Sequence, residues 1–476
     1  MKEGYIKQSD RKKILLLTDD IRVHSGVAQV GREIIHNSTH RYNWCQIAGS
    51  VKHPDKGQVH DVSSDIAKET GVEDSYVKLY PVDGYGNEDI LREVIKLENP
   101  DAIFLITDPR YFMWLFNMEE EIRTKIPIVY LNIWDDLPAP QYNEEFYDSC
   151  DALFGISKQT KAINEIVLGE NAKDKILKYV PHGLDTNKFF PLKEETNDFK
   201  EFKKHITKGV EKDFILFFNS RNIRRKSIPD SLAAWKMFVD TLSPEEKEKV
   251  LFVLHTDPVS DHGTDLPAVI EYLLGDDDDT VVISNQKLPH QHMNYLYNMA
   301  DGVILISAAE GWGLALTESM LTGTPFIANV TGGMQDQMRF VDNEGNWYTN
   351  SKEIPSNQFG TYKEHGKWAL PVYPQAMGLV GSPVTPYIWD SRCDFRDARD
   401  RIIELYNMSK EERQERGNAG REWATGDEAG FTAAKMGERF IEGVEELFST
   451  WKPRKKFTFS SDTDFKPRVL NHKLEY

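Results

Sequence analysis

An apolar run, a glycine-broken loop and a helical stretch follow one another over residues 301–336, DGVILISAAEGWGLALTESMLTGTPFIANVTGGMQD. Residues 302–307 are apolar and β-branched, as in a buried strand; Gly311 and Gly313 break the run, and residues 314–321 take up helical spacing. Such a unit suits an open α/β sheet. There the loop leaving a strand's carboxyl end opens into the ligand crevice, and the following helix offers free N–H groups to an anion. Glu310 falls in this loop and Glu318 in the first turns of the helix. Carboxylates repel phosphate, so their place beside an anion site calls for hydroxyl partners, one on a sugar ring and one on a ribose. A nucleotide-sugar offers both hydroxyls together with phosphates that glycines admit to the backbone. Read alone, the same spacing is equally served by a solvated loop with two ordinary glutamates.

The rest of the chain repeats the alternation. Strands are expected at 13–19, 101–107, 126–133, 152–157 and 214–219, with helices near 27–36, 87–98, 410–424 and 428–451. That order implies parallel sheets, and 476 residues are enough for two or three domains. Apolar residues make up 40% and charged residues 28%, as in a soluble globular protein. No run approaches the roughly 20 apolar residues of a membrane span. The polar N-terminus leads directly into the first strand, so a cytoplasmic protein is expected. Cys45, Cys150 and Cys393 are scattered without metal spacing and read as reduced structural thiols. A net charge of −18 disfavours broad attraction to nucleic acid, although residues 452–476 form a basic tail with seven basic and three acidic side chains.

Glu310, Gly311, Trp312, Gly313 and Glu318, followed by Gly323, Pro325 and Gly332-Gly333, give the chain its resemblance to the retaining glycosyltransferases of family four (glycosyl transferases group 1), in the GT-B superfamily. Further matches appear in chain order. Residues 180–191, VPHGLDTNKFFP, are similar to the family's interdomain segment, with His182 in place of an asparagine; a structural hinge role is favoured for it over a catalytic one. Arg221 and Lys226 stand five apart, as do the family's diphosphate-binding arginine and lysine. The loop through His24, Ser25 and Gly26 resembles the family's first glycine-bearing loop, with Ser25 replacing one glycine.

The resemblance implies an α/β fold of GT-B architecture: two facing Rossmann-like, doubly wound domains. Residues 1–192 would form the acceptor domain and 193–427 the donor domain with an insert at 339–392. A helix at about 428–451 would cross back to the first domain, burying Phe440, Val444, Leu447 and Trp451. The implied reaction moves a hexose-type sugar from a UDP- or GDP-linked donor to a hydroxyl acceptor of unknown class. Configuration would be retained, with no metal and no further cofactor. By position, Arg221 and Lys226 would stabilise the departing diphosphate, Glu310 would orient the sugar and Glu318 would hold the ribose. Gly26 and Gly311 to Leu314 would admit the donor to the backbone, and Asn285 to Leu288 would lie at the base.

The chain departs from the pattern at residues 134–136, Trp-Asp-Asp, where many relatives carry a histidine. Asp135 either replaces that histidine or caps a turn together with Asp136. Loss of transfer, leaving a sugar-nucleotide-binding protein, is one alternative. Transfer to a modified DNA base is another, suggested by the basic tail and by an aromatic insert whose Trp347, Tyr348, Tyr362, Trp368, Tyr373, Tyr387 and Trp389 would either stack on a ligand or pack a satellite core. The acidic run 276–279 reads as a solvated turn rather than a metal site, and Arg224 and Arg225 as solvated.

Overall fold

The computed structural model describes residues 3–455, so the basic tail beyond residue 455 lies outside the described residues. The chain lays down two parallel sheets in succession. The first contains β1 (Lys12–Asp19), β2 (Tyr42–Ser50), β3 (His60–Asp61), β4 (Val77–Asp83), β5 (Ala102–Ile106), β6 (Ile128–Asn132), β7 (Ala152–Gly155) and β8 (Ile176–Tyr179). Their spatial order is β3-β4-β2-β1-β5-β6-β7-β8, and only the short β3 runs antiparallel. The second contains β9 (Phe214–Asn219), β10 (Val250–His255), β11 (Val281–Ser284), β12 (Gly302–Leu305), β13 (Phe326–Asn329) and β14 (Ala369–Val372), ordered β11-β10-β9-β12-β13-β14.

In both sheets the first strand ends up central, so the order reverses between β1 and β5 and again between β9 and β12. Those two reversal points are where an open α/β sheet binds ligands. Helices cover both faces, and the strands are accordingly apolar on both sides: Ile14 and Leu16 join one core, while Leu15 and Leu17 join the other. The Rossmann-like pair of sheets expected from the sequence is therefore present.

Helix Ala433–Thr450, with Thr432 accepting from the Lys435 amide at its start, returns to the first sheet. Met436, Phe440, Val444 and Leu447 form its buried stripe, and the Phe440 ring lies 4.8 Å from Phe104 and 5.7 Å from Trp44. The segment entering this helix also meets the interdomain crossing, where Leu184 exchanges backbone hydrogen bonds with Phe431 and Ala433. A Cβ on Gly183 would sit 2.1 Å from the Thr432 oxygen, which is why a glycine follows His182.

The insert is mostly a packing device. Trp347 and Trp368 both pack on Trp423, with ring centroids 5.2 and 5.0 Å apart, and Tyr348 packs on Tyr362. A hairpin, β15 (Pro374–Ser382) and β16 (Thr385–Cys393), then reaches the first sheet's loops, where the Trp389 amide donates to the Leu137 oxygen at 2.7 Å and the Tyr142 hydroxyl to the Tyr387 oxygen at 2.8 Å. Beneath that contact the fully buried Asp136 accepts from Gln159 on its own side and from Thr331, Gln358 and Ser391 across it. Trp347, Tyr348, Tyr362, Trp368 and Tyr373 thus pack together as a satellite core, while Tyr387 packs on Tyr142 of the first sheet's loops. The acidic run 276–279 is a surface turn in which Asp279 pairs with Lys208. Cys45 and Cys150 are buried free thiols, and Cys393 is half-buried. Among the described residues, no helix is long and apolar enough to cross a membrane.

Candidate active site

The carboxyl ends of both sheets face one cleft of about 640 Å³. One wall carries His24, Gly26, Ile106, Ile133, Asp135 and His182; the other carries Arg221, Arg225, Lys226, Glu310 to Leu314 and Glu318.

Glu310 ends the loop after β12 and is nearly buried. Its carboxylate takes a close hydrogen bond from the Lys226 ammonium and another from Arg225 at 3.0 Å. Burial works to raise the Glu310 pKa, but the two cations outweigh it and bring it down to about 2. The same burial lowers Lys226, against the pull of Glu310. Arg225 also donates to the Ala309 oxygen at 2.6 Å and places its Nε 3.6 Å from Asp135 on the opposite wall. Here the sequence reading is corrected: Arg225 is no solvated side chain, because its own backbone oxygen accepts from the Ala308 amide at 2.7 Å and draws the guanidinium in between the two carboxylates. Arg224 is exposed as expected, and Arg221 stands exposed at the rim.

Glu318 lies one helix start further on, half-buried, with Asn219 donating to it at 3.1 Å and the Tyr297 hydroxyl closer still. Burial raises its pKa, and those two donors oppose the rise. Between the glutamates, helix Leu314–Thr322 starts at Gly313, whose φ of +86° suits glycine and which brings no capping side chain. The Leu316 amide already donates to the Gly313 oxygen at 2.9 Å, so the N–H groups of Leu314 and Ala315 are the ones left for a ligand.

The loop is latched from behind. The Gly333 amide donates to the Glu310 oxygen at 3.0 Å, and Gln337 donates to the Trp312 oxygen at 2.6 Å. The Trp312 indole donates in turn to Thr317 at 2.9 Å. A Cβ on Gly332 would lie 1.8 Å from the Glu310 oxygen, and one on Gly311 would lie 2.7 Å from the Ile133 oxygen, so these glycines let the two walls meet.

Ser25 caps helix Gly26–Ser38 by accepting from the Ala28 amide at 3.0 Å, in extended backbone that has no need of the missing glycine. A Cβ on Gly26 would stand 3.6 Å from the Leu314 side chain, ordinary contact across the cleft. Asn285 lines the cleft beside Ser284, Gln286 and Lys287, but Leu288 does not: its side chain packs against the core. Asp108, just beyond β5, caps a turn and pairs with Arg110.

The family model for "Glycosyl transferases group 1" matches residues 199–352, the stretch that holds Arg221, Lys226, Glu310 and Glu318. The fold is that of the GT-B glycosyltransferases. Anabaena HepE in complex with UDP and glucose superposes with a TM-score of 0.62 at 15% identity, over 92% of this chain and 100% of that one. Sucrose-phosphate synthase from Thermosynechococcus elongatus gives 0.65 at 14% identity, over 92% and 100%. The alpha,alpha-trehalose 6-phosphate synthase from Burkholderia multivorans gives 0.62 at 10% identity, over 92% and 99%. A search of curated sequences finds no match.

The cleft also takes in Arg225 and His182, to which the sequence assigns other places. Arg225 had a signal available, since three consecutive cations in a loop after a strand concentrate charge at the ligand edge. His182, which its place in the interdomain segment makes a hinge residue, also lines the cleft.

Proposed function

We propose that the protein is a retaining glycosyltransferase that moves a hexose-type sugar from a UDP- or GDP-linked donor to a hydroxyl acceptor without a metal. The observation that carries this reading is the pairing of Glu310 with Lys226 and Arg225 in the same cleft as Glu318 and an open helix start. The likeness to HepE, whose structure holds UDP and glucose, supports the same donor class.

On this reading Glu318 accepts from the ribose hydroxyls. Arg221 and Lys226 meet the diphosphate, aided by the N–H groups that follow Gly313. Glu310, held ionised by its cations, accepts from a sugar hydroxyl. The bond between the anomeric carbon and the diphosphate oxygen breaks with its electron pair leaving on phosphate. The acceptor oxygen bonds to that carbon on the face just vacated, and its proton passes to a phosphate oxygen. Asp135, across the cleft, places negative charge near the carbon as positive character develops.

The test is a panel of UDP- and GDP-sugars assayed for nucleotide release in EDTA, with the product anomer assigned by NMR. The proposal expects release and a retained anomer. Tight nucleotide binding with no release, even to water, would instead identify a binding protein that has lost transfer; an inverted anomer would reject the mechanism.

A further inference from the structure

His182 lies at the end of the first sheet's last connection, 8% exposed, with its ring 6.3 Å from the Trp312 ring and at a steep angle to it. It lines the cleft with Val27, Val30 and Ile156, an apolar floor. Its Nδ1 is buried without a hydrogen-bond partner among the described residues. An unpartnered buried polar atom destabilises the fold, so a leucine or methionine would serve a hinge better. The neighbouring Gly183 and Leu184 already make the hinge contacts through the backbone.

We propose that His182 binds a hydroxyl of the transferred sugar. This rests on the donor reading above and adds a sugar-recognising group that the pattern of glutamates and cations leaves unassigned. Burial holds the imidazole neutral, with a pKa near 3, so it keeps one N–H donor and one bare nitrogen across the working pH range. A hydroxyl in the cleft can accept from the N–H or donate to the bare nitrogen, whichever the ring presents there; a phosphate oxygen, which only accepts, can use the N–H alone. The positive groups on the cleft wall all belong to the second sheet's loops, so the diphosphate has its partners there.

The experiment compares His182→Leu, His182→Asn and the unmodified protein by calorimetric titration with UDP, UDP-glucose, GDP and GDP-mannose, alongside thermal unfolding without ligand. For the pair that the unmodified protein binds, His182→Leu is expected to weaken the nucleotide-sugar about tenfold, as loss of one or two hydrogen bonds does, and the bare diphosphate less than twofold. His182→Asn should recover part of the loss. Without ligand, His182→Leu should melt no lower than the unmodified protein, because it removes an unsatisfied group. Equal weakening of both ligands, or a lower melting temperature with unchanged ligand discrimination, would return His182 to a phosphate or hinge role. If the unmodified protein binds neither nucleotide nor nucleotide-sugar, the donor reading itself fails, and this inference with it.

Discussion

The Lys226 ammonium closes on the Glu310 carboxylate with both side chains about a tenth exposed, 9% and 11%. Removing Glu310 strands the buried Lys226, whereas removing Lys226 leaves Arg225 on the carboxylate. Glu310→Gln should therefore cost about 3–5 kcal/mol and Lys226→Met less, and the double replacement by apolar residues much less than their sum. The pH dependence has a definite sign. Glu310 falls to about 2 in the folded protein, below its ordinary value near 4.5. The stability it contributes is therefore present above about pH 4.5 and is lost as pH falls toward 2, amounting to about 3 kcal/mol. Urea unfolding of Glu310→Gln and the unmodified protein should give curves that converge as the pH drops through that window.

Glu318 is held by Tyr297 and Asn219 with its remaining lone pairs toward the cleft. Glu318→Ala should weaken UDP or GDP at least tenfold in calorimetric titration, since charge-assisted hydrogen bonds are worth about 1.5–3 kcal/mol. Tyr297→Phe should weaken it less, because Asn219 still orients the carboxylate. An unchanged affinity in both variants would remove Glu318 from the nucleotide site.

The strand, loop and helix unit around Glu310 was legible because its signals are local: a β-branched run, glycines where the backbone turns, and helical spacing after them. The interdomain segment VPHGLD was legible only through its likeness to the family's pattern, and helix Ala433–Thr450 could be read from its apolar stripe. Arg225 was missed because its role depends on Asp135 and Glu310, which lie 90 and 85 positions away and meet it only when two sheets face one another. Asp136 shows the same limit. Nothing in a Trp-Asp-Asp triplet says which aspartate faces the cleft and which turns under it to meet Gln358 of the insert.

That buried aspartate has a pH signature of opposite sign. Burial raises Asp136 to about 6 although Thr331, Gln159 and Ser391 all donate to it. With a folded pKa above the ordinary value near 4, its contribution is fully present below about pH 4 and is lost as pH rises through 6. Asp136→Asn removes that titration. Its stability relative to the unmodified protein should improve by up to about 3 kcal/mol between pH 4 and pH 7 in urea unfolding. A constant offset across that range would mean Asp136 does not titrate there.

Gly332 has a φ of +51° and no room for a Cβ, whose nearest neighbour would be the Glu310 oxygen at 1.8 Å. Gly332→Ala must displace the backbone that carries Glu310. It should lower stability by about 2–4 kcal/mol and abolish transfer even in protein that remains folded at low temperature. Gly345→Ala is the control. Its φ of +85° is also positive, but no atom lies within 4 Å of its Cβ position, so it should cost about 1 kcal/mol and leave transfer intact.

Arg225 spans the cleft between Glu310 at 3.0 Å and Asp135 at 3.6 Å, and its fork also reaches the Ala309 oxygen. A lysine cannot hold three acceptors in a plane, so Arg225→Lys should recover little of what Arg225→Met loses. If the arginine keeps the two carboxylates in working positions on opposite walls, Arg225→Met should lower kcat about a hundredfold while UDP affinity falls less than about fivefold. The same argument makes Asp135→Asn nearly silent once Arg225 is gone, because the charge it would have removed no longer has its partner. A double-mutant cycle on kcat measures this directly. Strong coupling would assign Asp135 and Arg225 to one cross-cleft device, whereas full additivity would leave Asp135 as the cap of a turn.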